Sequence, residues 1–344
     1  MKIAPIMRAF KASGNFETLL VHTGQHYDEN MSKLFFDELG IPEPDHALGI
    51  GPGTPLHQLA EMLRGIEAIL AGERPDVVLV YGDTTTTLAG ALAASKAGGR
   101  LAHVEAGLRS FDRSMPEEQN RVVTDHLSDL LFCPTDAAVS NLMREGITRG
   151  VHRVGDVMFD AHLLFAQVAS ARPGPERWGL GAGEYLLLTV HRAAATDSRA
   201  ALLDLVAVLE ALDAPALFPV HPRTRHRLQD EGLWERAERV PGLRLLPPIG
   251  YLDFTRALLD ARAVLTDSGG VQKEAFFAGV PCLTLRTETE WVETVEAGFN
   301  RLVAMDAGAV REALSDLTLP QDRPDLYGDG DAAGATAEIL LAES

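Results

Sequence analysis

Residues 263–285 read AVLTDSGGVQKEAFFAGVPCLTL, and this stretch decides the fold. A short apolar run at 263–265 leads through a polar turn with two glycines into a helical stretch at 271–278, and a second apolar run follows at 282–285. Two buried strands joined by a helix make a βαβ unit, whose strands run parallel because the helix returns the chain to the end where it started. Outward from this unit the same alternation recurs. The second half of the chain is expected to hold further strands at 185–188, 216–220 and 243–246, with helices at 198–212, 224–237 and 252–259. The first half is expected to hold strands at 19–21, 77–81, 101–104 and 130–133, with amphipathic helices at 56–70, 87–97, 117–127 and 137–144. Ile3, Ile6, Met7 and Phe10 fall on one side of a 3.6-residue period, so the sequence opens inside or just before an amphipathic helix. The pattern predicts an α/β protein with mainly parallel sheets.

A length of 344 residues favours two domains. The Pro- and Gly-rich stretch at 171–183, ARPGPERWGLGAG, is the natural linker between a first domain at 1–170 and a second at 184–325. Two such domains leave a cleft, and open α/β sheets bind ligands beyond the carboxyl ends of their strands. With 31 Lys and Arg against 49 Asp and Glu, the net charge of −18 disfavours a nucleic acid partner. The two cysteines, Cys133 and Cys282, supply neither a disulfide framework nor a zinc site, so no metal is expected. No apolar run approaches the roughly 20 residues that span a bilayer, which predicts a cytoplasmic protein without a membrane partner.

Polar and ionisable residues recur where the strands end: HTGQHYD after 21, GDTTTT after 81, EAGLRSFDRSMPEEQNR after 104, TVHR after 188, HPRTR after 220 and TDSGGVQKEA after 265. In the last of these, Asp267 or Ser268 is placed to cap a helix, while Gly269 and Gly270 let its free N–H groups approach a phosphate. An ordinary N-cap with a glycine turn is the alternative. Glu274, one to two turns into that helix, is placed to accept from ribose hydroxyls or simply to face solvent. His191 with Arg192, and His221 with Arg223 and Arg225, add groups suited to a diphosphate. Three carboxylates stand out in the first half: Asp83, Glu105 and Glu117. Moving a proton on and off carbon calls for such groups. Asp83 is also placed to cap the following helix, and Ser114 with Glu117 fits a capping box. Glu105 follows the apolar run LAHV directly, so its expected burial needs a paired or functional reason.

No G-x-G-x-x-G follows a strand, which disfavours a tightly held nicotinamide, and the P-loop, G-x-S-x-G and H-E-x-x-H patterns are missing from the sequence. What is present resembles the non-hydrolysing UDP-N-acetylglucosamine 2-epimerases. TGQHYD, YGDTTTT, HVEAGLRS with PEEQNR, TxHR, PVHP, TDSGGVQKEA with GVPCLTLR, and TEWVETVEAGFNRLV stand in that family's order. The resemblance implies two Rossmann-like domains of the GT-B type facing a deep cleft, and a C-terminal helix within 326–344 that packs back on the first domain. It also implies a cytoplasmic homodimer supplying sugar nucleotides, often for surface polysaccharides.

The chemistry implied is inversion at C2 by elimination of UDP across C1–C2, through 2-acetamidoglucal, followed by re-addition. No cofactor is needed, because the nucleotide itself leaves and returns. Residue by residue, the resemblance assigns acid–base and charge-stabilising work to Asp83, Glu105 and Glu117, with His191 near the leaving diphosphate. It assigns substrate binding to Lys2, Arg192, Ser268, Gly269, Gly270 and Glu274. Gln25, His26 and His221 match positions near a regulatory UDP-GlcNAc site of some bacterial members.

There are departures. Where the family continues TxHR with a Glu-Asn pair, this chain has Ala194 and Ala195. Family members begin with a strand and a loop reading roughly GTRPEAIKMAP, of which MKIAPIMRAF matches only the tail; a late start is expected, and an upstream strand and loop should raise activity. TEWVETVEAG, where many members have TERPE, keeps open a modified substrate such as UDP-2,3-diacetamido-glucuronate. A sugar-nucleotide binding protein that has lost catalysis and a GT-B glycosyltransferase are the competing classes.

Overall fold

The computed structural model describes residues 1–24 and 39–343, which separate into two compact units. The first comprises residues 1–163 and 325–344, the second residues 164–324.

The first unit opens on helix α1 (Ile3–Ser13), followed by two short paired strands, β1 (Val21–His22) and β2 (His46–Ala47). Helix α2 (Pro55–Glu73) leads to β3 (Val77–Tyr81), α3 (Thr85–Ala97), β4 (Arg100–Val104), α4 (Pro116–Leu127), β5 (Leu130–Cys133), α5 (Asp136–Arg144), β6 (Val151–Arg153) and α6 (Val157–Ser170). Strands β3, β4, β5 and β6 lie side by side in that order, all parallel. Tyr81 pairs with Val104 and Val104 with Phe132, so the carboxyl ends of β3 and β4 lie level.

The second unit contains β7 (Leu186–Thr189), α7 (Ala193–Thr196), α8 (Arg199–Glu210), β8 (Ala216–Pro219), α9 (Pro222–Asp230), α10 (Trp234–Glu238), β9 (Leu243–Leu246) and α11 (Tyr251–Leu259). It continues through β10 (Ala263–Thr266), α12 (Gly269–Ala278), β11 (Cys282–Thr284), α13 (Val292–Glu296), β12 (Asn300–Leu302) and α14 (Ala307–Ser315). The sheet order β9-β8-β7-β10-β11-β12, parallel throughout, is that of a doubly wound dinucleotide-type fold. The order reverses between β7 and β10, where such folds bind ligands.

Helix α15 (Ala332–Ala342) belongs to the first unit, where Ala332, Ala333, Ala337 and Leu340 share a core with Ile6 and Phe10 of α1 and with strands β4 and β5. Asp160 of α6 accepts hydrogen bonds from Ala332 N (3.2 Å) and Ala333 N (2.7 Å), satisfying N–H groups that the helix leaves unpaired at its start. No helix among the described residues is long and apolar enough to cross a membrane.

The α/β class with parallel sheets is as the alternation predicts; several details differ. The helix expected at 224–237 is two, α9 and α10, because Gly232 sits at φ +67° and turns the chain between them. The strand expected at 19–21 is reduced to β1, and Leu19 is exposed. The stretch 171–183 falls within the second unit and carries a 3-10 turn at Pro175–Trp178; the division of the chain lies inside α6. Helix 117–127 buries Glu118, Asn120, Arg121, Thr124 and Asp125 and leaves Val123 exposed, the reverse of an apolar stripe.

Candidate active site

In the first unit Asp83, Glu105 and Lys2 gather where β3 and β4 end. The N-cap of α3 is Thr84, which forms a capping box with Thr87, so Asp83 is not the cap that its position allowed. Its carboxylate instead accepts from Arg121 Nη2 at 2.6 Å, and its carbonyl from Asn120 Nδ2 at 2.9 Å, both from α4. Glu105 is buried and sits at φ +72°, a left-handed conformation that costs a non-glycine residue roughly 1–2 kcal/mol. Such strain persists where the surroundings impose it, and it concentrates at functional sites. The Glu105 carboxylate pairs with Lys2, the residue before α1. A methyl group added at Gly82 would lie 2.7 Å from Lys2 Nζ and 3.2 Å from Glu105 Oε2. Glycine there leaves room for the pair. Glu117 is exposed in the first turn of α4 and is not part of a capping box: Ser114 donates through N (2.9 Å) and Oγ (2.7 Å) to Asp112, and Met115 is the N-cap.

Sequence reasoning missed the helix residues behind these carboxylates. Besides Asn120 and Arg121, Glu118 accepts from Ser110 N (2.9 Å), Ser110 Oγ (3.1 Å) and Phe111 N (3.0 Å), fixing the loop that follows Glu105. The available signal was a run of charge on a helix whose apolar residues do not form a stripe.

In the second unit the residues gather at the sheet's reversal point. Asp267, just past β10 and buried, accepts from His191 N (2.9 Å) and Arg192 N (2.8 Å), and pairs with His191 Nδ1 at 3.3 Å. Burial pushes its carboxyl up, but the His191 and Arg192 donors outweigh this and hold it below the usual range. Neither Asp267 nor Ser268 caps α12 through its side chain. Ser268 is the N-cap by position, its own N–H donates to Thr266 Oγ1 (2.9 Å), and the first N–H groups of α12 lie beside Gly269 and Gly270. A Cβ at Gly270 would meet only Ser268 Oγ, at 4.0 Å, whereas one at Gly269 would collide with Glu290. Glu290 in turn pairs with Arg286 (3.0 Å) and Arg192 (3.6 Å). Such a helix start, with no side-chain acceptor on it, suits an anion.

Glu274 lies fully inside, on α12. Burial pushes its carboxyl up to about 7 against the opposing pull of Tyr251 and Lys273, and its Oε1 has no hydrogen-bond partner within the protein. An acceptor of this kind suits a ligand hydroxyl. His221 caps α9, taking a hydrogen bond from Arg223 N at 3.2 Å, and its ring lies 5.7 Å from that of His191. Burial and the neighbouring His191 and Arg223 lower its pKa. Ala194 is exposed, whereas Ala195 packs into the second unit's core with Val190, Leu205 and Val220. Gln25 and His26 lie outside the described residues. Among the described residues no group of three or more His, Cys, Asp or Glu is arranged to hold a metal ion.

Known proteins share this architecture. Residues 8–341 match the UDP-N-acetylglucosamine 2-epimerase family. The chain is 46% identical over 343 residues to the UDP-N-acetylglucosamine 2-epimerase homolog of Methanococcus maripaludis, covering 99% of this chain and 96% of that one. To the UDP-2,3-diacetamido-2,3-dideoxy-D-glucuronate 2-epimerase of Pseudomonas aeruginosa it is 45% identical over 353 residues, again covering 99% and 96%. The crystal structure of Methanocaldococcus jannaschii UDP-GlcNAc 2-epimerase with UDP-GlcNAc and UDP matches with a TM-score of 0.92 at 42% identity, over 99% of this chain and 96% of that one. By family match, identity and fold together, the chain belongs to the UDP-N-acetylglucosamine 2-epimerases, a family of isomerases.

Proposed function

We propose that the protein interconverts UDP-N-acetylglucosamine and UDP-N-acetylmannosamine. One carboxylate of the Asp83, Glu105 and Glu117 set removes the C2 proton; the C–H electron pair forms the C1=C2 double bond as the C1–O bond to UDP breaks. A second group of the set then delivers a proton to the opposite face of C2, and a UDP oxygen rebuilds the bond to C1. The observation that carries this reading is Glu105, a buried carboxylate in a strained backbone, paired with Lys2 and following the strand whose end lies level with the end of β3, after which Asp83 comes. Lys2 is suited to neutralise diphosphate charge, and the reading gives UDP to the second unit. Its phosphates go to Ser268, Gly269 and Gly270 at the start of α12, with Arg192 and His191 alongside, and its ribose goes to Glu274. No cofactor enters the cycle, since UDP is the group that leaves and returns.

Incubation with UDP-GlcNAc in D₂O should give UDP-ManNAc with deuterium at C2. Absence of both product and exchange would reject the reading. A second substrate, UDP-2,3-diacetamido-glucuronate, is favoured by the 45% identity to the Pseudomonas aeruginosa enzyme, and turnover of the two nucleotides in parallel decides between them. The proposal extends to a cytoplasmic homodimer with UDP-GlcNAc as a regulator acting near Gln25, His26 and His221. Sedimentation equilibrium tests the dimer, and a sigmoidal rate in the reverse direction that UDP-GlcNAc straightens tests the regulator.

A further inference from the structure

We infer that Asp125 is the positioning residue for Glu105, clamping its loop on both sides; this rests on the reading of Glu105 as a proton-handling group. Asp125 lies on α4 at 1% exposure. One carboxylate oxygen accepts from His103 Nδ1 at 2.6 Å, two residues before Glu105. The other accepts from Gly107 N at 3.1 Å and from Arg109 Nη1 at 2.7 Å, two and four residues after it. His103 donates from its second nitrogen to Gly82 O at 2.8 Å, so the same carboxylate also reaches the turn that carries Asp83.

The clamp has a back wall. Gly107 sits at φ +81°, its carbonyl accepts from Asn141 Nδ2 of α5 at 3.0 Å, and a Cβ there would run into the backbone of Ala138. Arg109 is held in turn by both oxygens of Glu145, each at 2.7 Å. The loop is thus pinned from α4 on one side and α5 on the other, with Glu105 in its left-handed conformation in between. A buried ion network is seldom the most stable filling for its space; apolar residues of similar shape often do as well. What this network supplies is a fixed place for one strained carboxylate. Sub-ångström misplacement of a reacting group is enough to matter, since about 1 Å costs about 100-fold in rate.

The test is Asp125→Asn in the full chain, which keeps the shape and removes the charge. The expected result is a fall in kcat and in C2 deuterium exchange of about 100-fold, with KM and UDP affinity within about twofold of wild type. In the double variant with Glu105→Gln the two losses should not add, because Asp125 acts through Glu105. A crystal structure of Asp125→Asn should show Glu105 out of its positive-φ conformation and parted from Lys2. An unchanged loop, kcat within about threefold of wild type, or additive losses would overturn the inference. Should Asp125→Asn not fold, His103→Gln breaks one arm and leaves the Gly107 and Arg109 arms in place; it should lower kcat by about tenfold with KM unchanged, and an undiminished kcat overturns the clamp. If the wild-type protein neither epimerises nor exchanges, the assignment of function fails on its own, and the loop conformation in the variant still decides the clamp.

Discussion

At Gly82 the missing side chain is as much a part of the site as any carboxylate, since the space it leaves holds the Lys2 ammonium against Glu105. Gly82→Ala would strain a φ of +65° and push the pair apart, so it should lower kcat at least about tenfold and destabilise the protein by about 1–2 kcal/mol; thermal melts with steady-state kinetics check both. Glu117, exposed and outside any cap, has no packing duty. Under the proposed chemistry, Glu117→Gln should cut kcat by about 100-fold or more, and its exposure should leave the melting temperature within about 1 °C; a drop in melting temperature alone would remove Glu117 from that proposal. Glu274 behaves differently. Its folded pKa of about 7 is above the unfolded value, so its contribution to stability is whole below about pH 4 and is lost as the pH rises through about 7. Glu274→Gln should gain in melting temperature over wild type from about pH 5 to about pH 8 and bind UDP about tenfold more weakly, by differential scanning fluorimetry and calorimetry. The strand-end carboxylates were legible because an acid after an apolar run demands a reason. Arg121, Asp125 and His103 were not, because nothing in a linear reading brings positions 82, 105 and 125 together.

At the scale of elements, α4 shows where periodicity misleads. Its boundaries are close to those expected, but Glu118, Arg121 and Asp125 make up the inward face and Val123 the outward one. A helix that turns charge inward does so because the neighbouring loops offer unpaired donors. Ser110 N, Phe111 N and Gly107 N are such donors, and they come from a segment with no regular structure to satisfy them. The break at Gly232 was equally hidden, since apolar spacing runs on across it. Helix α15 depends on a partner outside itself, because its N-cap, Asp331, makes no side-chain bond and Asp160 serves instead. Asp160→Ala should cost about 1 kcal/mol, about 2–4 °C in melting temperature, and speed limited proteolysis near residue 331.

For the whole molecule, the alternation of strand and helix and the order of the motifs made the class and family readable from the sequence, whereas the pairing of the two chain ends in one unit came from the resemblance and not from any local pattern. Residues 164–324 form one uninterrupted unit holding a complete six-stranded sheet and the residues proposed for UDP. Expressed alone, that segment should fold cooperatively and bind UDP in calorimetry, and an unfolded spectrum would count against its independence. Residues 1–163 alone should aggregate or melt at low temperature, because Ile6 and Phe10 lose Ala337 and Leu340.

The docking of α1 against α15 also sets an order of events during synthesis. Helix α1 must wait for α15, with the whole second unit made in the interval. At about 5–20 residues per second that wait lasts on the order of 15–60 seconds, during which the apolar face of α1 is exposed to chaperones and to other chains. The second unit should therefore fold first, and the carboxylates proposed to handle protons should come under a finished core only as α15 clears the exit tunnel.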